Sequence, residues 1–281
     1  FFDDSTDIHQ LNILGNIVTY CTKNIFLDNA DIYNLQIVGN DIELGTYPSG
    51  VAAADKADIW INAQTSFVEC VSVVGNTLED HWTANQLIRL NGAAAGNIAS
   101  VNIGDNSTGN SLADDINMGG VSNVNISGHF KRSYGYAVRA TGDIAGLKYS
   151  AGVLRSGGQG GGMFISEGAY IHRDVNMNGC QLSGDSANGA IMVTGATSLR
   201  NFNVGNNAIY DKAATSIRLQ ATSMANVRVD FNNIDNVDAT DVTNAIEITA
   251  GTTLGKNSMM LNSARKGTFV GPAAFNVQGN F

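Results

Sequence analysis

The chain has 281 residues, of which 32 are glycine and only 2 are proline, and charged residues make up 15% of it. Hydrophobic residues account for 43%, too many for a disordered chain, and Lys, Glu and Leu are too scarce for a helical bundle. The formal net charge is −9 and no block of Lys or Arg occurs, so nucleic acid is not an expected partner. No apolar run is long enough for a membrane-spanning helix, so membrane insertion is not expected.

The three cysteines, Cys21, Cys70 and Cys180, are widely separated and show no CxxC spacing. This argues against a disulfide framework and against a zinc site, and we interpret all three as small apolar core residues. No cofactor or metal site is predicted. The chain begins Phe1-Phe2 without a methionine or a signal peptide, so we expect a fragment or a processed product of a longer protein.

A degenerate repeat runs along almost the whole chain. Its first element is an apolar residue, any residue, a second apolar residue, two further residues, and then Asn or a small residue. Successive copies lie about 28 residues apart on average. The ten copies are Leu11-x-Ile13 ending at Asn16, Leu35-x-Ile37 at Asn40, Val71-x-Val73 at Asn76, Val101-x-Ile103 at Asn106, Val124-x-Ile126 at His129, Leu147-x-Tyr149 at Gly152, Val175-x-Met177 at Cys180, Phe202-x-Val204 at Asn207, Val227-x-Val229 at Asn232 and Met259-x-Leu261 at Ala264.

Each copy also contains a second short strand, apolar-x-apolar, usually followed by Gly or Ala. The clearest examples are residues 59–61, 88–90, 116–118, 138–140, 191–193, 217–219 and 246–248. A third apolar position precedes many of the first elements by three residues, at Ile98, Val121, Ile144, Leu199 and Met224. Each unit therefore contributes three short β segments, which predicts one triangular coil.

Alternation with period two points the apolar pair of each segment inward and the residue between them toward solvent. A single coil cannot bury its apolar face, so it has to stack on its neighbours with equivalent strands parallel and about 4.8 Å apart. Asn at an inward corner extends a hydrogen-bonded ladder between coils and tolerates a left-handed backbone. The sequence therefore predicts an all-β fold, a single-stranded right-handed parallel β-helix (solenoid) of about ten coils. One domain is expected over residues 1–281, with the coils over 11–270.

Two other folds fit the sequence pattern less well. A β-sandwich would show hairpin signals about every 8–12 residues rather than a three-strand unit near 28. Leucine-rich repeats have a shorter period and a helix-forming arm, which this chain lacks.

The ten first elements from Asn16 to Ala264, with their partner strands, resemble the pectin-lyase-like β-helix superfamily. Within it, the Asn- and Gly-rich coils of uneven length are most similar to bacteriophage tailspikes and capsule depolymerases. The resemblance implies a side-by-side homotrimer that binds or cuts bacterial cell-surface polysaccharide, located in the virion tail or outside the cell. The calcium-binding aspartates of pectate lyases and the acid-His-Glu motif of alginate epimerases are not recognisable here.

Function in a solenoid concentrates in long turns, because extra residues there leave the stacked strands undisturbed. The turns after Asn40 and Asn76 are long and belong to consecutive coils, so they should form one wall. Glycan cleavage requires one acid to protonate the leaving oxygen and another to activate water or to attack. We predict as catalytic residues the acids Glu79, Asp80, Asp114 and Asp115. Ring stacking and ion pairing predict as substrate-binding residues Tyr47, His81, Trp82, Arg132, Tyr134 and Arg155.

Two further features have structural interpretations. The cluster Glu167, His172, Arg173 and Asp174 is interpreted as a bulge held by salt bridges rather than as a site. The outward positions of the second strands are expected to be Trp60, Arg89, Asn117, Arg139, Phe164, Met192, Arg218 and Glu247. In that row we expect Arg218 to pair with Glu247, and Phe164 to form with Met192 an apolar patch for subunit contact.

The leading hypothesis is a tailspike-type protein that binds and depolymerises surface polysaccharide as a glycosidase or lyase. The alternative is a non-catalytic receptor-binding or structural spike in which the loop acids are only solvated. A secreted autotransporter-type adhesin is a third class, which the three cysteines and the uneven coils disfavour.

Overall fold

The computed structural model describes residues 7–19, 23–44, 57–80, 86–109, 114–128, 130–131, 135–150, 152–156, 162–184, 189–210, 215–236 and 244–281. Within these ranges the chain forms thirty β-strands and no helix. The strands pair in parallel with the equivalent strands of the coils before and after them. The predicted class, an all-β parallel solenoid, is confirmed.

The strands, numbered in chain order, form three stacks of parallel neighbours. The first stack contains β1 (Leu11–Leu14), β4 (Leu35–Val38), β7 (Val68–Val74), β10 (Ile98–Gly104), β13 (Val121–Ser127), β16 (Ile144–Ser150), β19 (Ile171–Asn178), the second half of β21 (Ile191–Gly205), β24 (Arg228–Asp230), β27 (Asn257–Met260) and β30 (Phe275–Gln278). The second stack contains β3 (Lys23–Asp28), β6 (Ala57–Ala63), β9 (Gln86–Gly92), β12 (Ile116–Gly119), β15 (Tyr136–Ala140), β18 (Gly162–Glu167), the first half of β21, β23 (Ile217–Ala225), β26 (Asn244–Leu254) and β29 (Thr268–Val270). The third stack contains β2 (Ile17–Thr19), β5 (Asp41–Leu44), β8 (Thr77–Asp80), β11 (Ser107–Gly109), β14 (Phe130–Lys131), β17 (Val153–Ser156), β20 (Gln181–Gly184), β22 (Ala208–Tyr210), β25 (Asn233–Asp235) and β28 (Ser263–Ala264).

The register of the first stack follows the repeat. Leu35 lies between Leu11 and Val71, and Ile37 lies between Ile13 and Val73. The same in-register pairing of the predicted inward residues continues along the stack as far as β24. Because the inward residues of neighbouring coils coincide, their side chains form continuous buried rows through the centre of the solenoid.

Two repeat assignments are wrong. In the last coil, Met259 pairs with Val229 and Asn262, not Ala264, occupies the corner. This shift of two residues keeps the same alternation, so period two does not reveal it. In the second stack, Phe164 pairs with Val138 and is fully buried, so its outward neighbour is Ile165.

The third strand of each coil is also not where the sequence suggested. It begins directly after the corner residue, whereas the third apolar positions, such as Ile98, are buried at the start of first-stack strands. Third-stack strands contribute few buried apolar residues, such as Ile42 in β5 and Leu78 in β8. Strands this short carry little alternation for a sequence pattern to detect. Among the cysteines, the core interpretation is confirmed for Cys180 and wrong for the exposed Cys70, while Cys21 lies outside the described residues.

A buried amide ladder joins the coils at the corner between the first and third stacks. Asn76 Oδ1 accepts hydrogen bonds from the backbone N–H of Asn40 at 2.9 Å and from its Nδ2 at 3.0 Å. Asn76 Nδ2 donates in turn to Ile37 O and to Asn106 Oδ1, both at 3.0 Å. The same pattern recurs at the corner positions Asn16, Asn40, Asn76 and Asn106 and again at Asn207, Asn232, Asn262 and Asn280. Each ladder residue follows a left-handed residue, such as Gly39 with a φ of 66°, which turns the chain out of the first stack.

Cys180 takes the place of an asparagine in this ladder. Its backbone N–H donates to Asn207 Oδ1 at 3.0 Å, as a ladder asparagine would, and its thiol points at Tyr149 O at 3.7 Å. Burial raises the pKa of the thiol to about 11, with a backbone hydrogen bond from Gly152 acting in the opposite direction. The thiol is therefore protonated at neutral pH and acts as a weak substitute for the amide.

We predict that Asn76→Ala destabilises the fold by about 3 kcal/mol, because it leaves several buried polar groups of neighbouring coils without partners. Asn16→Ala is the matched control, since Asn16 belongs to the same ladder but is exposed. It should cost less than about 1 kcal/mol. Urea unfolding of both variants measures the difference, and equal losses would contradict a ladder-based stabilisation.

We also predict that Cys180→Asn stabilises the protein by about 1 kcal/mol, since a full amide would donate to both Tyr149 O and Asn207 Oδ1. Cys180→Ala, which removes the thiol without adding an amide, should destabilise it. The free energies of unfolding are compared by urea titration under reducing conditions. If Cys180→Asn is less stable than Cys180→Ala, the corner at residue 180 cannot accommodate an asparagine of the ladder.

Candidate functional site

Most of the predicted substrate-binding residues, namely Tyr47, His81, Trp82, Arg132 and Tyr134, lie outside the described residues. Arg155 lies in β17, and Glu79 and Asp80 are the last residues of β8. The register places Asp80 beside Leu44, the last residue of β5. The strands that precede the two long insertions therefore end at adjacent positions, whereas residues 45–56 and 81–85, and with them the expected wall, lie outside the described residues.

Asp114 and Asp115 immediately precede β12 and are buried rather than solvated. The Asp114 carboxylate accepts a hydrogen bond from the backbone N–H of Tyr136 at 2.7 Å and forms an ion pair with Arg139. Asp115 accepts a hydrogen bond from the Thr108 hydroxyl at 3.0 Å. These contacts give both acids a structural role, and their catalytic role stays a prediction.

The outward row of the second stack is in register from Phe26 to Val270: Phe26, Trp60, Arg89, Asn117, Arg139, Ile165, Met192, Arg218, Glu247 and Val270. At its N-terminal end, Lys23 Nζ lies 4.1 Å from the centroid of the Trp60 ring, and Arg89 Cζ also lies 4.1 Å from it. These cations leave Trp60 only 8% exposed, so its ring is not an open stacking platform.

Two expectations for this row have clear outcomes. The predicted pair of Arg218 and Glu247 is confirmed, with a distance of 3.1 Å between Nη2 and Oε2. The exposed patch of Phe164 and Met192 is not formed, because Phe164 points into the core. The homotrimer expectation therefore loses the surface feature on which it rested and stays a prediction.

The cluster around His172 separates into unrelated contacts. Glu167 pairs with Arg139 at 3.1 Å rather than with Arg173. His172 is fully buried, and its Nε2 lies 2.8 Å from the Ser166 hydroxyl, which is also buried. Burial lowers the pKa of His172 to about 4, although Asp143 acts in the opposite direction. This buried pair occupies core positions that aliphatic residues such as Ile144 fill in neighbouring coils.

The outer surface of the first stack carries a groove that the sequence did not predict, and we call it the corner groove. One wall is a row of residues with left-handed backbone, the corner row: Asn123, Gly146, Asp174, Asn201, Asn226 and Gly255. The other wall is the in-register outward row of first-stack residues that lie two or three positions later in the chain: Asn125, Lys148, Asn176, Asn203, Arg228 and Ser258. Six coils at about 4.8 Å per step give the groove a length of about 24 Å.

Three cavities mark the groove along its length. The first, of about 310 Å³, lies between Asn123 and Asn176, and the second, of about 380 Å³, between Asn201 and Lys256. The third, of about 440 Å³, shares Arg228 and Lys256 with the second, so those two are continuous. The groove is open to solvent along one side of the solenoid, which suits an extended ligand better than a small enclosed one.

The walls are held in place by side-chain hydrogen bonds between coils. Asn201 Nδ2 donates to Asp174 Oδ1 at 2.7 Å, and Asn226 Nδ2 donates to Asn201 Oδ1 at 3.0 Å. In the outward row, Asn203 Nδ2 donates to Asn176 Oδ1 at 3.2 Å. Asn and Asp tolerate the left-handed backbone that the corner requires, which explains their repetition there. The sequence feature that could have revealed the two walls of the groove is the repeated triplet polar-apolar-polar, as in Asn201-Phe202-Asn203.

The corner groove combines neutral amides with cations. Its exposed cations are Lys148, Arg228 and Lys256, and its acids are Asp174 and the mostly buried Asp230. Asp230 accepts hydrogen bonds from the Ser258 hydroxyl and the Met260 N–H, both at 2.8 Å. Both carboxylate oxygens of Asp230 are therefore engaged within the fold, and no ion pair joins Arg228 to a described residue.

Comparison with protein-family models, curated proteins and solved structures found no match for this chain. The parallel β-solenoid therefore rests on the strand topology described above, and the resemblance to pectin-lyase-like proteins gains no support from known relatives. Among the described residues, no His, Cys, Asp and Glu side chains are grouped so as to hold a metal ion. Within the same ranges, no helix has the length and apolar character required to cross a membrane.

We predict that acid weakens the fold through His172. Its pKa is lowered from 6.5 to about 4 in the folded chain, so below pH 6.5 the unfolded chain takes up the proton first. The stability present above about pH 6.5 should fall by about 3 kcal/mol as the pH approaches 4. The double variant His172→Leu/Ser166→Ala should lack this loss, measured by urea unfolding across that range. His9→Leu, at an exposed histidine, is the control and should retain the wild-type profile.

Proposed function

We propose that this β-solenoid is a tailspike-type protein that binds bacterial surface polysaccharide along the corner groove and acts in the virion tail or outside the cell. The observation that carries the proposal is the long open groove walled by ordered asparagine amides and cations. Amides both donate and accept hydrogen bonds, as sugar hydroxyls do, and cations bind acidic groups. Wall positions that repeat in register over six coils suit a polymer, because successive units of the polymer meet equivalent positions of the repeat.

Preorganisation supports binding rather than a purely structural role for these amides. Asn201 and Asn203 are positioned by neighbours in adjacent coils, so they lose little further freedom when a ligand arrives. An exposed row of amides adds little to folding stability, since water satisfies the same groups in the unfolded chain.

Depolymerisation is the second part of the proposal, and it rests on the acids Glu79, Asp80, Asp114 and Asp115. Two carboxyl groups suffice for hydrolysis of a glycosidic bond, one as acid and one as base or nucleophile. Glu79 and Asp80 are the stronger candidates, because they end β8 and immediately precede His81 and Trp82 in the sequence. The alternative is a non-catalytic receptor-binding spike, which the engagement of Asp114 and Asp115 in structural contacts favours.

Binding is tested with purified capsular polysaccharides and O-antigens from a panel of bacteria, immobilised for interferometry. For a bound glycan, the double variant Asn203→Ala/Arg228→Ala should weaken binding about tenfold or more, since it removes an amide and a charged donor from the groove. Asn233→Ala is the control, because Asn233 is an exposed asparagine of the third stack. Equal binding by all three proteins would exclude the corner groove, and no binding to any glycan would exclude the function.

Catalysis is tested on the bound glycan by assaying reducing ends and the absorbance of unsaturated products. We expect Glu79→Gln and Asp80→Asn to retain binding but to lose product formation, because neutral side chains cannot exchange the required protons. Glu69→Gln, an exposed acid of β7, is the control and should keep full activity. A bound glycan that the wild-type protein leaves intact would establish the non-catalytic spike instead.

A further inference from the structure

Two arginines of adjacent coils occupy directly paired positions on neighbouring strands next to the corner groove. Arg173 in β19 and Arg200 in β21 are register partners on parallel strands, so their backbones are about 4.8 Å apart. Both side chains are exposed. The positions that flank this pair along the stack are Ala145 and Ala225, whose short side chains leave the guanidinium groups room on both sides.

The arginine pair lines a cavity of about 330 Å³ with Asp143, Ile144, Ala145, Ile171 and Ser198. Arg200 Nε donates to the Ser198 hydroxyl at 3.3 Å, which orients one guanidinium group. The acid in the cavity, Asp143, uses Oδ1 to accept a hydrogen bond from the Ile171 N–H at 2.8 Å.

Neither arginine forms an ion pair with any residue that the structure describes. The described ion pairs of arginine involve Arg139, Arg218 and Arg265 instead. Asp174 follows Arg173 in sequence, but it turns the corner with a left-handed backbone and accepts its hydrogen bond from Asn201. Like charges directly opposite each other on neighbouring strands destabilise a sheet. In a chain of net charge −9, two cations at paired strand positions, neither of them in an ion pair with a described residue, are therefore an arrangement that an anionic ligand would relieve.

The arginines immediately precede the corner row, since Arg173 is followed by Asp174 and Arg200 by Asn201. A polymer lying in the corner groove at Asn201 and Asn203 would pass the open side of the arginine pair. Guanidinium groups bind carboxylate and sulfate oxygens through two parallel hydrogen bonds, a geometry that a lysine ammonium does not offer.

We propose that Arg173 and Arg200 form an anion subsite of the corner groove, which selects a polysaccharide that carries carboxylate or sulfate groups. This inference rests on the proposed function and specifies its substrate class as an acidic glycan. The amides of the groove would contact the sugar hydroxyls, and the arginine pair would fix the position of an acidic substituent along the chain.

The test compares binding of the full chain to immobilised polygalacturonate, dextran sulfate and neutral dextran. The wild-type protein should bind at least one acidic polymer more than tenfold tighter than dextran, and salt should weaken that binding. Arg173→Gln/Arg200→Gln should lose at least tenfold in affinity for that polymer. Arg173→Lys/Arg200→Lys should recover only part of the loss, because the charge returns without the paired donors.

The matched control is Arg218→Gln/Arg265→Gln, which changes the net charge equally at arginines that already pair with Glu247 and Asp235. It should change affinity less than twofold, and a loss equal to that of the Arg173/Arg200 variant would overturn the subsite in favour of a net-charge effect. If free sulfate or galacturonate displaces the protein from the polymer at a concentration equal to that of the polymer's repeating units, the preference for a polymer is overturned.

Preferential binding of neutral glycans from the bacterial panel, unaffected by the arginine variant, would overturn the subsite while leaving the proposed function intact. No binding to any glycan would overturn both. Circular dichroism of each variant verifies that the solenoid has formed, so that a loss of affinity is not a loss of fold.

Discussion

The buried amides at one corner of the solenoid determine how its coils can stack. An asparagine such as Asn76 bonds to the coil on either side, so each coil can meet its neighbours only in the register that satisfies these groups. Hydrophobic burial alone would tolerate a shift of two residues, since the same face would stay inward. The amide ladder removes that freedom, because a shifted strand would leave donors and acceptors buried without partners.

Once the register is set, surface residues of successive coils align in rows, and two of those rows form the walls of the corner groove. Left-handed residues repeat at both edges of the first stack, and from Asn123 to Gly255 along the corner groove they are Asn, Asp or Gly, which tolerate that backbone. The corner groove thus arises from a conformational requirement of the fold. Its asparagines satisfy the turn and simultaneously present an ordered amide surface to solvent.

Charge is distributed differently on the two outer faces. On the second stack most arginines meet an acid or a ring, as Arg139 meets Asp114 and Arg89 lies over Trp60. Beside the corner groove, Arg173 and Arg200 occupy paired positions on adjacent strands, and neither forms an ion pair with a described residue. A fold gains nothing from opposing like charges, and this contrast between the two faces is the basis of the proposed anion subsite. In the core, by contrast, the polar side chain of His172 is paired with the Ser166 hydroxyl and is neutral at neutral pH.

The sequence by itself determined the class of fold and the inward residues of the first stack, because alternation and a period near 28 residues follow from how a solenoid buries its apolar face. It did not place the third stack, because a strand with a single buried residue shows no alternation. It also did not place the last corner at Asn262 instead of Ala264, because a shift of two residues leaves the alternation unchanged. Only the tertiary structure decided which polar residues meet. Asp114 reaches Arg139 across coils, and Arg173 faces Arg200 27 residues further along the chain, since stacking brings together residues separated by a coil whose length varies.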